Sequence, residues 1–247
     1  MGGAGVRTVS LALFVATWSV AAWLGDDPSI LPAPWTVARL IASEGMSGEL
    51  WVHLTATLLR VAAAFTLALL IGAAIGIALG RSSGLDRWLD PWLIVALNLP
   101  ALVVIVLCYL WIGLSEAAAI TAVALNKIPL VAVLMREGAR ALDPRLDDMG
   151  RVFAMPPVDR LRHVVLPQLA PHLASAARSG LALIWKIVLV VEFLGRPNGV
   201  GFQIHLHFQL FDVGMVLAYT LAFVAVMLVI EALMQPWERH AARWRRT

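Results

Sequence analysis

Charge is what this sequence has least of. Among 247 residues only 14% are Asp, Glu, Lys or Arg, while 60% are hydrophobic and the mean hydropathy is +0.82. A soluble domain carries roughly 25% charged residues to clothe its surface, so a water-exposed globular enzyme is excluded. Disorder is excluded on the same ground, because it needs low hydrophobicity and high net charge. The single cysteine, Cys108, has no partner for an intrachain disulfide. Neither lysine, Lys127 or Lys186, follows a glycine, so no Gly-Lys-Ser/Thr phosphate loop is present and ATP cannot be hydrolysed by that route. No His-Glu-x-x-His pattern occurs; His205 and His207 stand two apart, which would suit metal ligation only in a strand. The short alternating segments of a membrane β-barrel are also missing.

What is there is a series of long apolar runs. A helix needs about 20 consecutive apolar residues to cross a bilayer. On that measure the chain is an all-α polytopic membrane protein, one domain over residues 1–247. Its spans, about six, fall near 8–24, 54–79, 91–111, 116–135, 174–194 and 214–235. Residues 9–24 after Arg7 vaguely resemble a signal peptide, but with several spans downstream they are read as an uncleaved first helix. Residues 28–50 hold Pro28, Pro32, Pro34, Glu44 and Glu49 and are too polar to span.

Arginine distribution sets the expected orientation. Arg7, Arg81, Arg87, the run from Arg136 to Arg178, and Arg239, Arg243, Arg245 and Arg246 fall on one side. The other side holds only Arg39 and Arg196, with Asp26, Asp27, Glu44, Glu49, Glu116 and Asp212. The positive-inside rule then makes both termini and the stretch 136–172 cytoplasmic. Trp23, Trp51, Trp88, Trp92, Trp111 and Trp237 lie at span ends, where headgroup-level anchors belong. The pI near 9.6 therefore reflects lipid-facing loops rather than nucleic acid.

The stretch 136–172 holds two short amphipathic patterns. Asp143-Pro144 starts the first, an aspartate cap before a proline whose missing N–H costs nothing there. Leu146, Met149 and Phe153 recur at helical spacing, and Pro156-Pro157 ends the pattern. Val158, Leu161 and Val165 form the second stripe, and Pro167 and Pro171 are expected to separate it from the next span. Such stripes suit docking into a partner groove, or packing on the protein's own helices or the lipid interface; the residues alone leave both open.

Asp143 to Pro167 resembles the cytoplasmic signature loop of the permease subunits of bacterial ABC importers. That pattern is Glu-Ala-Ala, three residues, Gly, nine residues, Ile-x-Leu-Pro. Leu166-Pro167 anchors it, placing Asp148 at the glutamate, Met149 and Gly150 at the alanines, Ala154 at the glycine and Val164 at the isoleucine. Glu49-Leu50-Trp51 running into Leu59-Arg60-Val61, the Asp143-Pro144-Arg145-Leu146 entry, and Glu192 followed by Gly199-Val200-Gly201-Phe202 are similar to the nitrate, sulfonate and taurine branch. The resemblance covers roughly residues 35–240.

The resemblance implies a type I ABC importer permease fold with a cytoplasmic coupling-helix loop, in a bacterial inner membrane. The implied partners are a second permease copy as a homodimer, two ATP-binding subunits, a periplasmic or lipid-anchored solute-binding protein, and membrane lipid. This chain would carry no cofactor; ATP and Mg would be bound by the partner ATPase. Coupling would fall to Asp148, Met149, Phe153, Ala154, Leu166 and Pro167. No catalytic or metal site is expected: Ser175, Ser179 and His172 gather at one span end without a triad pattern. The alternative is a secondary transporter or channel with no ATPase partner, which often shows inverted repeats; no internal duplication is evident.

Asn98, Asn126, Lys127, Lys186 and Glu192 are the candidate residues of a pathway favouring a small anion. A lysine near the middle of a span costs roughly 2.5–3.5 kcal/mol on the insertion scale and needs a partner, water or substrate. Gly72, Gly76 and Gly80, with Ala64 and Ala68, make one small-residue face suited to close helix packing, more within the subunit than at a dimer interface. Pro100 and Pro129 fall inside the third and fourth spans as candidate bends. Residues 202–208 alternate like a strand or irregular loop, while the resemblance implies a short helix near an outer gate.

Overall fold

The computed structural model describes residues 3–241, and every regular element among them is helical. In chain order these are α1 (Gly3–Gly25), α2 (Pro34–Ser47), α3 (Glu49–Arg81), α4 (Ser83–Asn98), α5 (Ala101–Ile112) and α6 (Glu116–Arg140). There follow α7 (Pro144–Val152), α8 (Pro157–Arg160), a π turn (Leu161–Val165), α9 (Leu166–Gly195), α10 (Val200–Gln209) and α11 (Val213–Ala241). Among the described residues four helices are long and apolar enough to cross a membrane, or five if α4 and α5 form one broken span. That is fewer than the six read from sequence. The expected span at 174–194 lies within α9 and is helical throughout, but carries Arg178, Lys186 and Glu192. The side chains of Arg7, Trp237 and Arg239, and Arg243, Arg245 and Arg246 altogether, lie outside the described residues.

Contacts divide the chain into two compact units, Met1–Thr57 with Glu192–Leu228 and Leu58–Val191 with Val229–Thr247. In the first unit α1 turns into α2 through Asp27, whose carbonyl accepts from the Ile30 and Leu31 amides. The Ser29 hydroxyl, and after it the Ser29 amide, donate to the Asp27 carboxylate and lower its pKa from the ordinary value. The polar segment 28–50 mostly forms α2, which ends at Gly48 with φ 91°, a left-handed cap that lets α3 begin at the next residue. Residues 200–209 are helix rather than strand: α10.

In the second unit α3 lies against α6 along the small-residue face. A Cβ added at Gly72 would stand 2.6 Å from the Val131 Cβ, and one at Gly80 2.7 Å from the Arg136 carbonyl oxygen. The face is thus used within the chain. The expected third span, 91–111, is not one straight helix: α4 and α5 meet at 95°. Pro100 has no amide to continue α4 and pushes Leu99 to an extended conformation (ψ 124°), so it breaks the helix and caps the next. α6, by contrast, runs through Pro129 without interruption.

Two ion clusters fix the ends of these helices. Arg60, almost fully buried, donates from Nε and Nη2 to the two oxygens of Glu116 at 2.8 and 2.6 Å, at the first turn of α6. Arg136 bridges Asp86 and Asp90 of α4, and Arg140 also reaches Asp86.

Candidate functional site

α7 is built as the sequence dictates. The Asp143 carboxylate accepts the Arg145 amide at 2.9 Å, with Pro144 at the first helical position. Its far end closes in a Schellman motif: the Met155 amide donates to the Gly150 carbonyl and the Ala154 amide to that of Arg151. That motif requires a left-handed residue, and Ala154 supplies it at φ 48°. Ala154 is the position aligned with the glycine of the signature loop, and holding an alanine left-handed there costs about 1–2 kcal/mol.

Around this turn the apolar stripe is uncovered. Phe153 is 74% exposed, Val152 82% and Val158 72%, and Met149, Leu161 and Leu166 are exposed too. Asp148 and Arg151 border them as a solvated i,i+3 pair. Gln168 ties the loop to the start of α9, its Oε1 accepting the Asp143 amide and its Nε2 donating to the Val164 carbonyl, both at 2.9 Å. Between α7 and α9 lies a groove of about 580 Å³ lined by Leu146, Met149, His163, Pro167, Gln168 and His172 among others.

The prolines do not separate the loop from the next helix. From Pro157 the chain stays helical through the π turn and into α9, passing Pro167 and Pro171. In the π turn the Leu166 amide bonds back five residues to the Leu161 carbonyl. The extra residue re-registers the backbone just before Pro167, where an ordinary α-turn would clash with the ring. Leu166 and Pro167 therefore mark a join within one helical path, not a break.

A second polar cluster, which the sequence did not reveal as such, surrounds the start of α10. The fully buried Glu192 accepts at Oε2 from the Thr57 hydroxyl and the Gly201 amide, both at 2.9 Å. The same Thr57 hydroxyl accepts the Val200 amide at 2.9 Å, and His53 Nδ1 accepts the Gly199 amide at 3.0 Å. With Nδ1 accepting, the neutral imidazole carries its proton on Nε2 and donates it to the side-chain amide of Gln203, whose oxygen must then face the ring. Phe202 stacks on the His53 ring and Tyr219 meets its face edge-on, while the Tyr219 hydroxyl donates to Glu44 at 2.7 Å. Glu192 and Gly-x-Gly seven residues later were the visible signal; the α3 partners were not.

The remaining pathway candidates belong to the second unit. Asn126 is half-buried and Lys127 is 9% exposed, side by side on α6. Lys186 is exposed on α9, and Asn98 is exposed at the end of α4, bonded to the Ile94 carbonyl. Neither lysine has a hydrogen bond or ion pair among the described residues. His205 bonds Gln209, and His207 stacks on Tyr219; no group among the described residues could hold a metal ion.

Residues 68–243 match the family model described as binding-protein-dependent transport system inner membrane component. A protein assigned to aliphatic sulfonates transport as its permease, SsuC of Bacillus subtilis, is 30% identical over 95% of this chain and 85% of its own length. The taurine transport system permease protein TauC of Escherichia coli is 26% identical over 94% of this chain and 86% of its own. Among solved structures, a chain of the MetNI methionine ABC transporter in inward facing conformations superposes with a TM-score of 0.69, at 17% identity. It covers 80% of this chain and 98% of that one, and shows the shared type I importer permease fold. The chain belongs to the binding-protein-dependent transport system inner membrane component family, as a membrane-embedded permease subunit of an ABC importer rather than an enzyme.

Proposed function

We propose that two copies of this chain form the translocation path for a small organic anion of the sulfonate class. Two ATP-binding subunits, which hold the ATP and Mg, dock on the loops, and a solute-binding protein delivers the anion to the opposite face. The arginine asymmetry supports an inner-membrane orientation with both termini and the loop 136–172 in the cytoplasm. The SsuC and TauC relatives support the substrate class.

One observation carries the coupling role: the apolar stripe on α7 is left bare by its own chain. Met149 and Phe153 are exposed beside charged Asp148 and Arg151, the make-up of a helix that lays an apolar face in a partner's groove. Ala154 sets the turn that presents Phe153, while Leu166 and Pro167 carry the loop into α9. Asn98, Asn126, Lys127 and Lys186 are assigned to the path. Glu192, fully buried and bonded to Thr57 and Gly201, serves instead to hold α10.

Co-purification with the ATP-binding subunit tests this reading. Phe153→Glu lies on an exposed site and leaves the fold intact, so the permease is recovered in normal yield without its ATPase. A normal ATPase yield with Phe153→Glu refutes docking on α7, and uptake by the wild type without any ATPase favours a secondary transporter.

A further inference from the structure

A helix leaves its first amides without intrahelical partners, and a capping side chain at its own N-terminus ordinarily takes one of them. α10 begins after Gly199, which has no side chain to offer. The amide of this cap residue and the first two of the helix end on three side chains from elsewhere: Gly199 on His53, Val200 on Thr57 and Gly201 on Glu192. His53 and Thr57 lie one turn apart on α3, and Glu192 lies in the last turn of α9. Gly199 itself is irreplaceable, with φ 110° and a would-be Cβ overlapping the Glu192 carboxylate. Thr57 is the hub: its hydroxyl accepts from Val200, and its one proton lies within reach of Glu192 at 2.9 Å and of the His53 carbonyl at 3.1 Å.

α10 is thus capped by two other helices, and its position follows theirs. α9 is unbroken from Leu166, where the loop joins it, to Gly195, so Glu192 rides at the far end of a helix that begins at the coupling loop. We propose that His53, Thr57 and Glu192 are positioning residues for transport: they clasp the start of α10 so that displacement of α9 is passed to it. The proposal rests on the transport reading above.

Thr57→Val keeps shape and deletes the hydroxyl; Thr57→Ser restores it. The variants are reconstituted in liposomes with the ATP-binding subunit and solute-binding protein. In Thr57→Val we expect the maximal rate of binding-protein-dependent uptake to fall at least tenfold. The KM for loaded binding protein, the yield of assembled complex and basal ATP hydrolysis all stay within twofold of wild type. Amide exchange over residues 199–203 accelerates at least tenfold, and Thr57→Ser returns uptake to within threefold. Glu192→Gln is read in parallel and gives the same split between uptake and assembly.

Uptake by Thr57→Val within twofold of wild type overturns the proposal. So does a loss of uptake that merely tracks loss of complex, or failure of both variants to assemble, since either assigns the cluster to folding alone. If the wild type itself shows no binding-protein-dependent uptake, the transport reading falls instead. The exchange difference between Thr57→Val and Thr57→Ser still reports the clasp in that case.

Discussion

Replacing Gly76 with alanine sets two effects of opposite sign against each other. Alanine gains about 1 kcal/mol over glycine inside a helix. Against that, the added Cβ would stand 2.7 Å from the Met135 Cβ and 2.9 Å from the Arg136 amide nitrogen, and would overlap the Ala132 carbonyl oxygen as well. Two of these three are backbone atoms of α6, so α3 and α6 must part. Overpacking of that kind costs roughly 1–3 kcal/mol in a tight core, and backbone obstruction puts this site at the upper end. The net is a loss of about 2 kcal/mol, or about 4–8 °C in the unfolding midpoint for a chain of this size. Gly180 is the control: the nearest atom to its added Cβ is Val131 Cγ2 at 4.0 Å, an ordinary contact, so Gly180→Ala keeps only the propensity gain. Cys108, the sole cysteine and buried, makes the assay direct, because a thiol-reactive dye in detergent reports unfolding from one site. A midpoint for Gly76→Ala at or above wild type, or an equal fall in Gly180→Ala, refutes the argument.

Further outcomes follow from other sites. Ala154→Gly relieves the left-handed strain and stabilises the end of α7 by about 0.5–1 kcal/mol, seen as slower amide exchange at Ala154 and Met155; unchanged or faster exchange contradicts it. Glu116→Gln leaves the buried Arg60 facing a neutral amide and costs about 1–2 kcal/mol, the half-exposed Glu116 keeping the figure down; an unaltered thermal midpoint tells against the pair. Lys127→Met and Lys186→Met retain complex yield but lose anion uptake, and full uptake in both variants removes the lysines from the path.

Local signals carried most of the architecture. Asp143-Pro144 forecast the start of α7 because cap and proline act within one turn. The glycine face at residues 72, 76 and 80 forecast close packing because its spacing alone lines up small residues. Proline proved less legible. Pro100 breaks its span outright, Pro129 is absorbed in α6, and Pro167 follows a π turn that makes room for it. The outcome depends on where the displaced backbone bonds go, which the residue name does not encode. The cluster at Glu192 was hidden for another reason. Its link to Thr57 spans 135 residues of chain, and only the fold brings them together.

The contact atoms around the packed glycines of α3 and α6 also decide which injuries the protein can repair. At Gly138 on α6 an added Cβ would strike both the ring and the Cβ of His172, all of them side-chain atoms, so glycine at 172 restores the space. At Gly76 the obstruction includes the carbonyl of Ala132 and the amide of Arg136, atoms every residue at those positions must have. No exchange of side chains on α6 can remove them. A selection for second-site suppressors should therefore recover His172→Gly for Gly138 mutants. For Gly76 mutants it should recover true revertants, because a lesion pressed against backbone has no partner gene position to answer it.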